Sequence, residues 1–586
     1  LKQNPLLQYL NRQQGQAVQD LDANVLVDAG PGTGKTRVLT ARIAWLLQNG
    51  CEPGRILAIT FTNKAATEMQ ERIRKAGLSP DVCITTFHSW AFRFLSESLS
   101  KEKRSVVIGE QDQKKIFGKV LKSLDIQGKT SRLLEKIQFL KQFYPPRLRD
   151  EPEEVRTVFE AYQDYLKAHG LFDYDDLIIS AASFLEKLRD ADPLLQPFDH
   201  LLVDEFQDVS QAQYRLCQLL AGRSCRVMAI GDPNQSIYGF RGSDPVFMER
   251  FVTDFHPCTR IRLLTAYRCP QKFLDAAGSV LGNKGLAEVR SERKKEAEII
   301  FRQFKHQRSE AAWIARKIDN ITGGISFESL NQGTASGHDL KSLSQVAVLF
   351  RINRMGENIA EELEKAGIPF QLARDTDAGR EEKLNMLWHL LEFLAGRNID
   401  HHLSMFQPDI RKRLETMGNE MLRKLQGMPP DAFLEMASGI LGQGFDSSEK
   451  ILLSNALESH RQGRFLPLAM KTEQDRLDFQ IEAVSLMSIH AAKGLEFPVV
   501  FIAGCEDGIL PWEKGEVPEE RRLFYVGLTR ASRQIFLTAA RTRIFWGKTR
   551  KMQPSPFLED MGRLLVREEA RPPRKRKKRP AQKKLF

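Results

Sequence analysis

The run Ala29-Gly30-Pro31-Gly32-Thr33-Gly34-Lys35-Thr36 constrains the fold more than any other stretch. It follows the apolar Val25-Leu26-Val27 and leads into Leu39, Ile43, Leu46 and Leu47 at helical spacing. Strand, glycine loop and helix in that order make a cradle for phosphate. The glycines let backbone N–H groups close around phosphate oxygens, Lys35 supplies a point charge, and the Thr36 hydroxyl is a ligand for Mg2+. Ala29 stands where the general pattern has its first glycine. The competing reading, a glycine turn that binds nothing, does not account for the Gly-Lys-Thr ending.

A chain of 586 residues exceeds one hydrophobic core, so a few domains are expected. No stretch approaches membrane-spanning length and no secretory signal opens the chain, so the expected compartment is the cytoplasm, with no membrane partner. What precedes Leu1 is left open. The seven cysteines include no Cys-x-x-Cys pair, which fits reduced thiols rather than a disulfide frame or a zinc site. The net charge of +12 includes nine Lys or Arg and no acid in residues 571–586, leaving +3 for the other 570. Bulk charge therefore says little about a nucleic-acid face on the body, and local motifs must carry that argument.

Before the glycine loop, Gln14 closes Leu10-Asn11-Arg12-Gln13-Gln14. Its side-chain amide holds a donor and an acceptor in one plane, a match for one adenine edge, although a surface glutamine is the plainer reading. A second strand, Ile56–Thr60, ends in Phe61-Thr62-Asn63 ahead of a helix from Lys64, and Thr62 or Asn63 is a candidate cap. A third, Val82–Thr85, ends in Thr86-Phe87-His88-Ser89. Phenylalanines beside hydroxyl and amide groups at two strand ends suit a single-stranded nucleic acid, whose bases stack on rings. Residues 92–190 read as a helical insertion.

The sheet pattern resumes at His200–Val203, followed by Asp204-Glu205-Phe206-Gln207-Asp208. One carboxylate at a strand end can hold Mg2+ and the next can accept a proton from attacking water. The strand Val227–Ile230 gives way to Gly231-Asp232-Pro233-Asn234-Gln235-Ser236-Ile237-Tyr238-Gly239-Phe240-Arg241-Gly242. There Gln235 is placed to orient water at a γ-phosphate, and Tyr238 and Phe240 offer stacking faces.

In this order the motifs resemble those of superfamily 1A DNA helicases, the UvrD/Rep/PcrA group, from about residue 10 to 545. The resemblance extends through Leu264-Thr265-Ala266-Tyr267-Arg268-Cys269-Pro270, Ser488-Ile489-His490-Ala491-Ala492-Lys493-Gly494-Leu495-Glu496-Phe497 and Glu519–Ala531. It implies that Gln14 and Tyr267 contact adenine, that Lys35, Thr36 and Arg37 meet phosphates and metal, and that Glu496 meets the ribose. It further implies Asp204 as the Mg2+ ligand, Glu205 as the base, Gln235 as the γ-phosphate sensor, and Arg268 and Arg530 as arginine fingers. Phe61, Asn63, His88, Tyr238, Phe240 and Arg241 would line the single-strand path, with His490 and Lys493 on the DNA side of the second half.

The implied fold is α/β: two RecA-like P-loop motor domains with parallel sheets, each carrying a mostly helical inserted subdomain. Residues 1–91 with 191–265 would form the first motor domain, 92–190 its insertion, 266–375 with 481–565 the second motor domain, and 376–480 a shortened second insertion. Strands are expected at Ile299–Phe301, Val346–Phe350, Val484–Met487, Val499–Ile502 and Ile535–Leu537, and a flexible excursion at 323–341.

Residues 566–586 would be a disordered basic tail ending in Gln582-Lys583-Lys584-Leu585-Phe586, which resembles a sliding-clamp docking peptide. The expected activity is ATP-driven, Mg2+-dependent translocation, 3′ to 5′ on single-stranded DNA, separating duplex strands in repair or replication from a monomeric core. Alternatives are a translocase that strips proteins without unwinding, the motor subunit of a helicase–nuclease complex, and a nonenzymatic clamp-recruited scaffold.

Overall fold

The computed structural model describes residues 4–98, 106–128, 130–188, 198–222, 225–282, 288–294, 297–323, 342–373, 378–394, 398–417, 428–445, 481–545 and 547–568, with 340, 396 and 450. Most of the expected excursion at 323–341, most of 446–480, and residues 569–586 of the expected tail, with Gln582, Leu585 and Phe586, lie outside them. The start of that tail is ordered, contrary to expectation: 566–568 belong to a strand, Leu565–Glu568, that pairs with Ile299–Arg302. The chain packs as two compact units, Leu1–Tyr267 with Arg374–Arg476, and Arg268–Ala373 with Leu477–Phe586.

The first unit is built on six parallel strands, β1 Asn24–Ala29, β2 Ile56–Thr60, β3 Cys83–Thr86, β4 His200–Val203, β5 Arg226–Gly231 and β6 Cys258–Leu263. They lie in the order β3-β2-β4-β5-β1-β6. β2 is buried along its whole length, because helices cover both faces of a parallel sheet and the strand must be apolar on both sides. That is why these strands read as unbroken apolar runs. β6 does not, since Arg260 points outward to Asp28 at 2.7 Å and Glu249 at 2.7 Å. As an edge strand with alternating burial it lacked an apolar run, and the sequence reading passed over it.

The first insertion contributes helices Glu110–Ser123, Thr130–Leu140, Glu153–Ala168 and Tyr174–Lys187, the first three around their own core of Ile116, Phe117, Ile137 and Tyr162. Its buried Lys141 is held 2.5 Å from Asp173 and 2.8 Å from Asp176, so the charge is compensated where solvent is excluded. The described part of 376–480 is helical as expected. Ala378–Leu394, Ile399–Met405, Pro408–Thr416 and Pro430–Leu441 share a small core around Leu390, Phe406, Leu414 and Phe433.

The second unit carries seven parallel strands, β7 Glu298–Phe304, β8 Val346–Phe350, β9 Phe370–Leu372, β10 Val484–Ser488, β11 Phe497–Ala503, β12 Ala531–Ala540 and β13 Leu565–Glu568, in the order β9-β10-β8-β11-β12-β7-β13. The five expected strands are present. The two that sequence reading missed, β9 and β13, are short and stand at the edges. Both units are thus α/β with parallel sheets, the RecA-like motor architecture. Among the described residues no helix is long and apolar enough to cross a membrane.

Candidate active site

In the first unit the candidate residues collect at the carboxyl ends of strands, the edge where open α/β sheets hold ligands. The glycine loop follows β1 and ends in Gly34, at φ +92°, the left-handed cap of helix Lys35–Gln48. A β-carbon there would also come within 3.0 Å of Gln14 Nε2, so glycine is required twice over. Gln14 is fully buried: its Oε1 accepts from the Asn11 N–H at 3.1 Å and its Nε2 donates to the Thr33 carbonyl at 2.9 Å. The amide therefore braces the loop. Asn11 Nδ2 donates to the Tyr267 hydroxyl at 2.8 Å, and the Tyr267 N–H donates to Gly32 O at 2.8 Å, which sets a ring 42% exposed beside the loop. Arg37 donates to the Gln8 carbonyl at 2.6 Å. Pro31 and Thr33 are buried in the loop, Gly30 and Thr36 half-buried, and Ala29 closes β1 inside the core.

Lys35 Nζ lies 3.0 Å from Glu205 Oε2. Burial opposes the ammonium charge, but Glu205, Asp232 and Asp204 outweigh it and raise the pKa. Glu205 follows Asp204 at the end of β4 with φ +48°, a left-handed geometry that costs a non-glycine residue roughly 1–2 kcal/mol. Asp204 Oδ1 accepts from the Glu205 N–H at 2.9 Å.

Two residues to which the sequence reading assigned no role hold this arrangement. Gln207 Nε2 donates to Glu205 Oε2 at 2.6 Å while its Oε1 accepts from the Asp232 N–H at 2.9 Å. Asp232 Oδ2 in turn accepts from Gln235 Nε2 at 2.8 Å. A β-carbon on Gly231 would sit 2.4 Å from Gln207 Oε1, so this glycine makes room for the bridge. No local pattern marks Gln207 as a bridge, because its second partner, Asp232, lies at a different strand end.

The same loop then carries aromatic rings. Tyr238 stacks on Phe61, centroids 5.1 Å apart at 14°, and Phe240 lies 6.2 Å from Tyr238 and is 59% exposed. The Arg241 guanidinium lies 5.7 and 5.6 Å from the two ring centroids. Thr62, rather than Asn63, caps helix Asn63–Lys75, and exposed Asn63 accepts from Ser89 Oγ at 3.3 Å. His88 stacks on Tyr174 of the first insertion at 3.6 Å. Burial, then the nearby Arg241 charge, push its pKa down to about 3. Tyr174 was not anticipated, since nothing beside it in the chain points to His88. Phe87 corrects the sequence reading: it is 5% exposed and packs with Trp90, Phe94 and Leu177 in the core. The helix begins at Phe87 itself, which turns its ring inward and leaves His88 half-buried beneath Tyr174.

In the second unit Arg268 Nε pairs with Glu496 Oε2. Arg293, another residue the motifs did not flag, donates to the Arg268 carbonyl at 3.1 Å and to that of Ser532. Arg530 is 1% exposed. Its guanidinium donates to Val526 O at 2.9 Å, Leu495 O at 3.1 Å and Thr529 Oγ1 at 3.1 Å. His490 and buried Lys493 stand in the turn after β10, whereas Glu496 and Arg530 immediately precede β11 and β12. The short connection 489–496 thus runs from the carboxyl edge of the sheet to its amino edge.

These sites can be set beside known proteins. A family model described as the UvrD/REP helicase N-terminal domain matches residues 10–256, and one described as the UvrD-like helicase C-terminal domain matches 261–460 and 447–542. The chain is similar to the ATP-dependent DNA helicase PcrA of Leuconostoc citreum, 29% identical over 654 residues that cover 95% of this chain and 85% of the relative. It is similar also to PcrA of Staphylococcus aureus strain Mu50, at 28% over 96% and 87%, and of Staphylococcus epidermidis, at 29% over 95% and 87%. With adjoining family models matched across both units and a phosphate loop backed by its carboxylates, the chain belongs to the UvrD/Rep/PcrA family of superfamily 1A helicases.

Proposed function

We propose that this ATP-hydrolysing helicase moves 3′ to 5′ along single-stranded DNA and separates duplex strands in repair or replication. The observation that carries the reading is the single loop 231–242. Its Asp232 and Gln235 belong to the network around Lys35 and Glu205, and its Tyr238 stacks on Phe61 with Phe240 tilted beside it. A change at the phosphate end of so short a segment displaces the rings, which is the physical link between fuel and strand.

Lys35 and the loop N–H groups would hold the triphosphate, with Gln14 and Tyr267 at the base and Glu496 at the ribose. Mg2+ would be held by the Thr36 hydroxyl and the Asp204 carboxylate, oxygen donors that suit a hard cation. When bound, the ion would offset phosphate charge. Glu205 would take the proton of the attacking water, Gln235 would orient that water, and Arg268 and Arg530 would answer the charge of the γ-phosphate. Phe61, Tyr238 and Phe240 would stack bases, with Asn63, His88, Arg241, His490 and Lys493 along the backbone path.

The two units would supply the two motor domains, with 92–190 and 376–480 as insertions. The core would act as a cytoplasmic monomer, and the terminal Gln582, Leu585 and Phe586 would dock in a sliding clamp. Deleting Leu585 and Phe586 is expected to abolish binding to a cognate clamp.

Duplexes with a 3′ or a 5′ single-stranded tail test the main reading. Unwinding from the 3′ tail is expected, with ATP turnover strongly stimulated by single-stranded DNA and abolished in Lys35→Ala. Unwinding from the 5′ tail alone overturns the polarity, and turnover indifferent to DNA overturns the coupling. Clearance of bound protein without unwinding would assign the translocase role instead.

A further inference from the structure

Outside the motor site, the second insertion buries three histidines against one another. His389 lies on helix Ala378–Leu394, and His401 and His402 are adjacent on helix Ile399–Met405. All three are buried, the most exposed being His401 at 7%. One ring nitrogen from each falls within 4.8 Å of the other two. The Nδ1 atoms of His389 and His402 face each other at 2.8 Å. The opposite nitrogen of His389, Nε2, stands 3.0 Å from Asp112 Oδ2 on helix Glu110–Ser123 of the first insertion, and Asn385 Nδ2 donates to Asp112 Oδ1 at 3.2 Å. Among the described residues, His401 Nε2 is buried with no hydrogen-bond partner.

Packing alone explains this poorly. A ring nitrogen hidden from water without a partner is unfavourable, and a core of this size would be better filled by leucine. Two facing Nδ1 atoms can share one proton, but that leaves the third ring unaccounted for. A metal ion uses one lone pair from each ring. Its second requirement is a carboxylate or carbonyl that receives the far N–H of a ligating histidine, fixing tautomer and orientation, and Asp112 occupies that position on His389. An entry path exists: a cavity of about 460 Å³, lined by Gln111, Lys115, Asn385, Gln407 and Asp409, reaches His389.

We propose that His389, through Nδ1, and a ring nitrogen each of His401 and His402 bind a divalent transition ion of the zinc class, with Asp112 orienting His389 from the other insertion. Water supplies the fourth ligand. A tetrahedral ion with Zn–N near 2.0–2.1 Å holds its ligands about 3.3 Å apart, so binding opens the 2.8 Å contact slightly while the three ring nitrogens, already within 4.8 Å of one another, adjust around the ion. The site would staple a small helical module whose own core is limited, and through Asp112 it would tie that module to the first insertion.

The test uses the untagged full chain, stripped with chelator, in excess Mg2+ so that oxygen-ligand sites are filled. Zn2+ is titrated against a chromophoric chelator, and Co2+ is then substituted as a spectroscopic probe. One equivalent of Zn2+ and the intense visible bands of tetrahedral Co2+ are expected. Affinity should fall at least about 100-fold in His401→Ala and in the milder His401→Gln, and about 10- to 100-fold in Asp112→Asn. Absence of stoichiometric Zn2+ in the wild type overturns the proposal whether or not the variants fold, as does octahedral Co2+ alone. Folded variants, judged by circular dichroism, that keep full affinity also overturn it.

Discussion

In the first sheet the candidate residues stand at carboxyl ends of strands, and the charged ones answer one another there: Lys35 after β1 meets Glu205 after β4, and Gln207 links Glu205 to the loop after β5. In the second sheet they are split. His490 and Lys493 follow β10, while Glu496 and Arg530 sit at the amino ends of β11 and β12. Loop 231–242 therefore connects the Lys35–Glu205 network to the Phe61–Tyr238 stack along one edge of the first sheet, whereas 489–496 connects its two groups of candidate residues across the second. The charges differ as well. Lys35 pairs with a carboxylate, whereas the Arg530 guanidinium donates to the Val526 and Leu495 carbonyls and the Thr529 hydroxyl, which fix its orientation. A cation held that way is preorganised to meet an anion brought to it.

The sharpest way to break the comparison is Glu205→Gln. It removes both the proposed base and the partner of Lys35, and turnover in the presence of single-stranded DNA should fall by up to about 10⁴-fold, measured as phosphate release. Next comes the contrast between the arginines. Arg268→Ala is expected to lower kcat on the order of 10³-fold with little change in thermal stability. Arg530→Ala should lower turnover and also destabilise the protein by roughly 1–3 kcal/mol, because buried carbonyls lose their donor. Equal stability losses in the two variants would erase the distinction.

A smaller effect probes the connection across the second sheet. Two glycines inserted between Lys493 and Gly494 should reduce DNA stimulation of turnover by about tenfold, in the usual range of site-to-site coupling, while basal turnover persists. Comparable in size is Phe240→Ala, expected to weaken single-stranded DNA binding by about 1–3 kcal/mol in fluorescence anisotropy. Phe87→Ala is its control. It should cost stability, about 3–5 kcal/mol by chemical denaturation, rather than specific DNA affinity.

The last test concerns pH. His88 has a folded pKa of about 3, below the unfolded value, so its contribution to stability is complete above about pH 6.5 and is lost as pH falls from there toward 3. Its ring resonances should not titrate between pH 7 and 5, and a midpoint near 6.5 would refute the buried, Arg241-facing environment.

Strands were legible where both faces are buried and the run is largely apolar, as in β2 and β8. Edge strands β6, β9 and β13 were not, because one side meets solvent and the apolar run is broken or short. The gathering of Lys35, Glu205 and Gln235 at strand ends was legible because loop and strand-end context is local in the chain, whereas the burial of Gln14, which braces the glycine loop through Thr33, was not. Phe87 was misread for a related reason: a ring beside a strand end faces in or out according to the helix phase that follows, and four residues of sequence do not reveal that phase.

The amino-acid order by itself determined the class of machine: a phosphate loop, paired carboxylates and two arginine motifs, each a contiguous string whose backbone conformation is largely its own. Only the tertiary structure decided how those strings are held. Gln207 reaches Asp232, Tyr174 covers His88, Arg293 grips the Arg268 carbonyl, and Asp112 meets His389 from another insertion. Each of these contacts joins residues on different elements, and hydrogen bonds or ring contacts of that kind follow from how helices and strands are brought together in space. Propensity and periodicity act over one turn of helix or one strand, and carry no record of them.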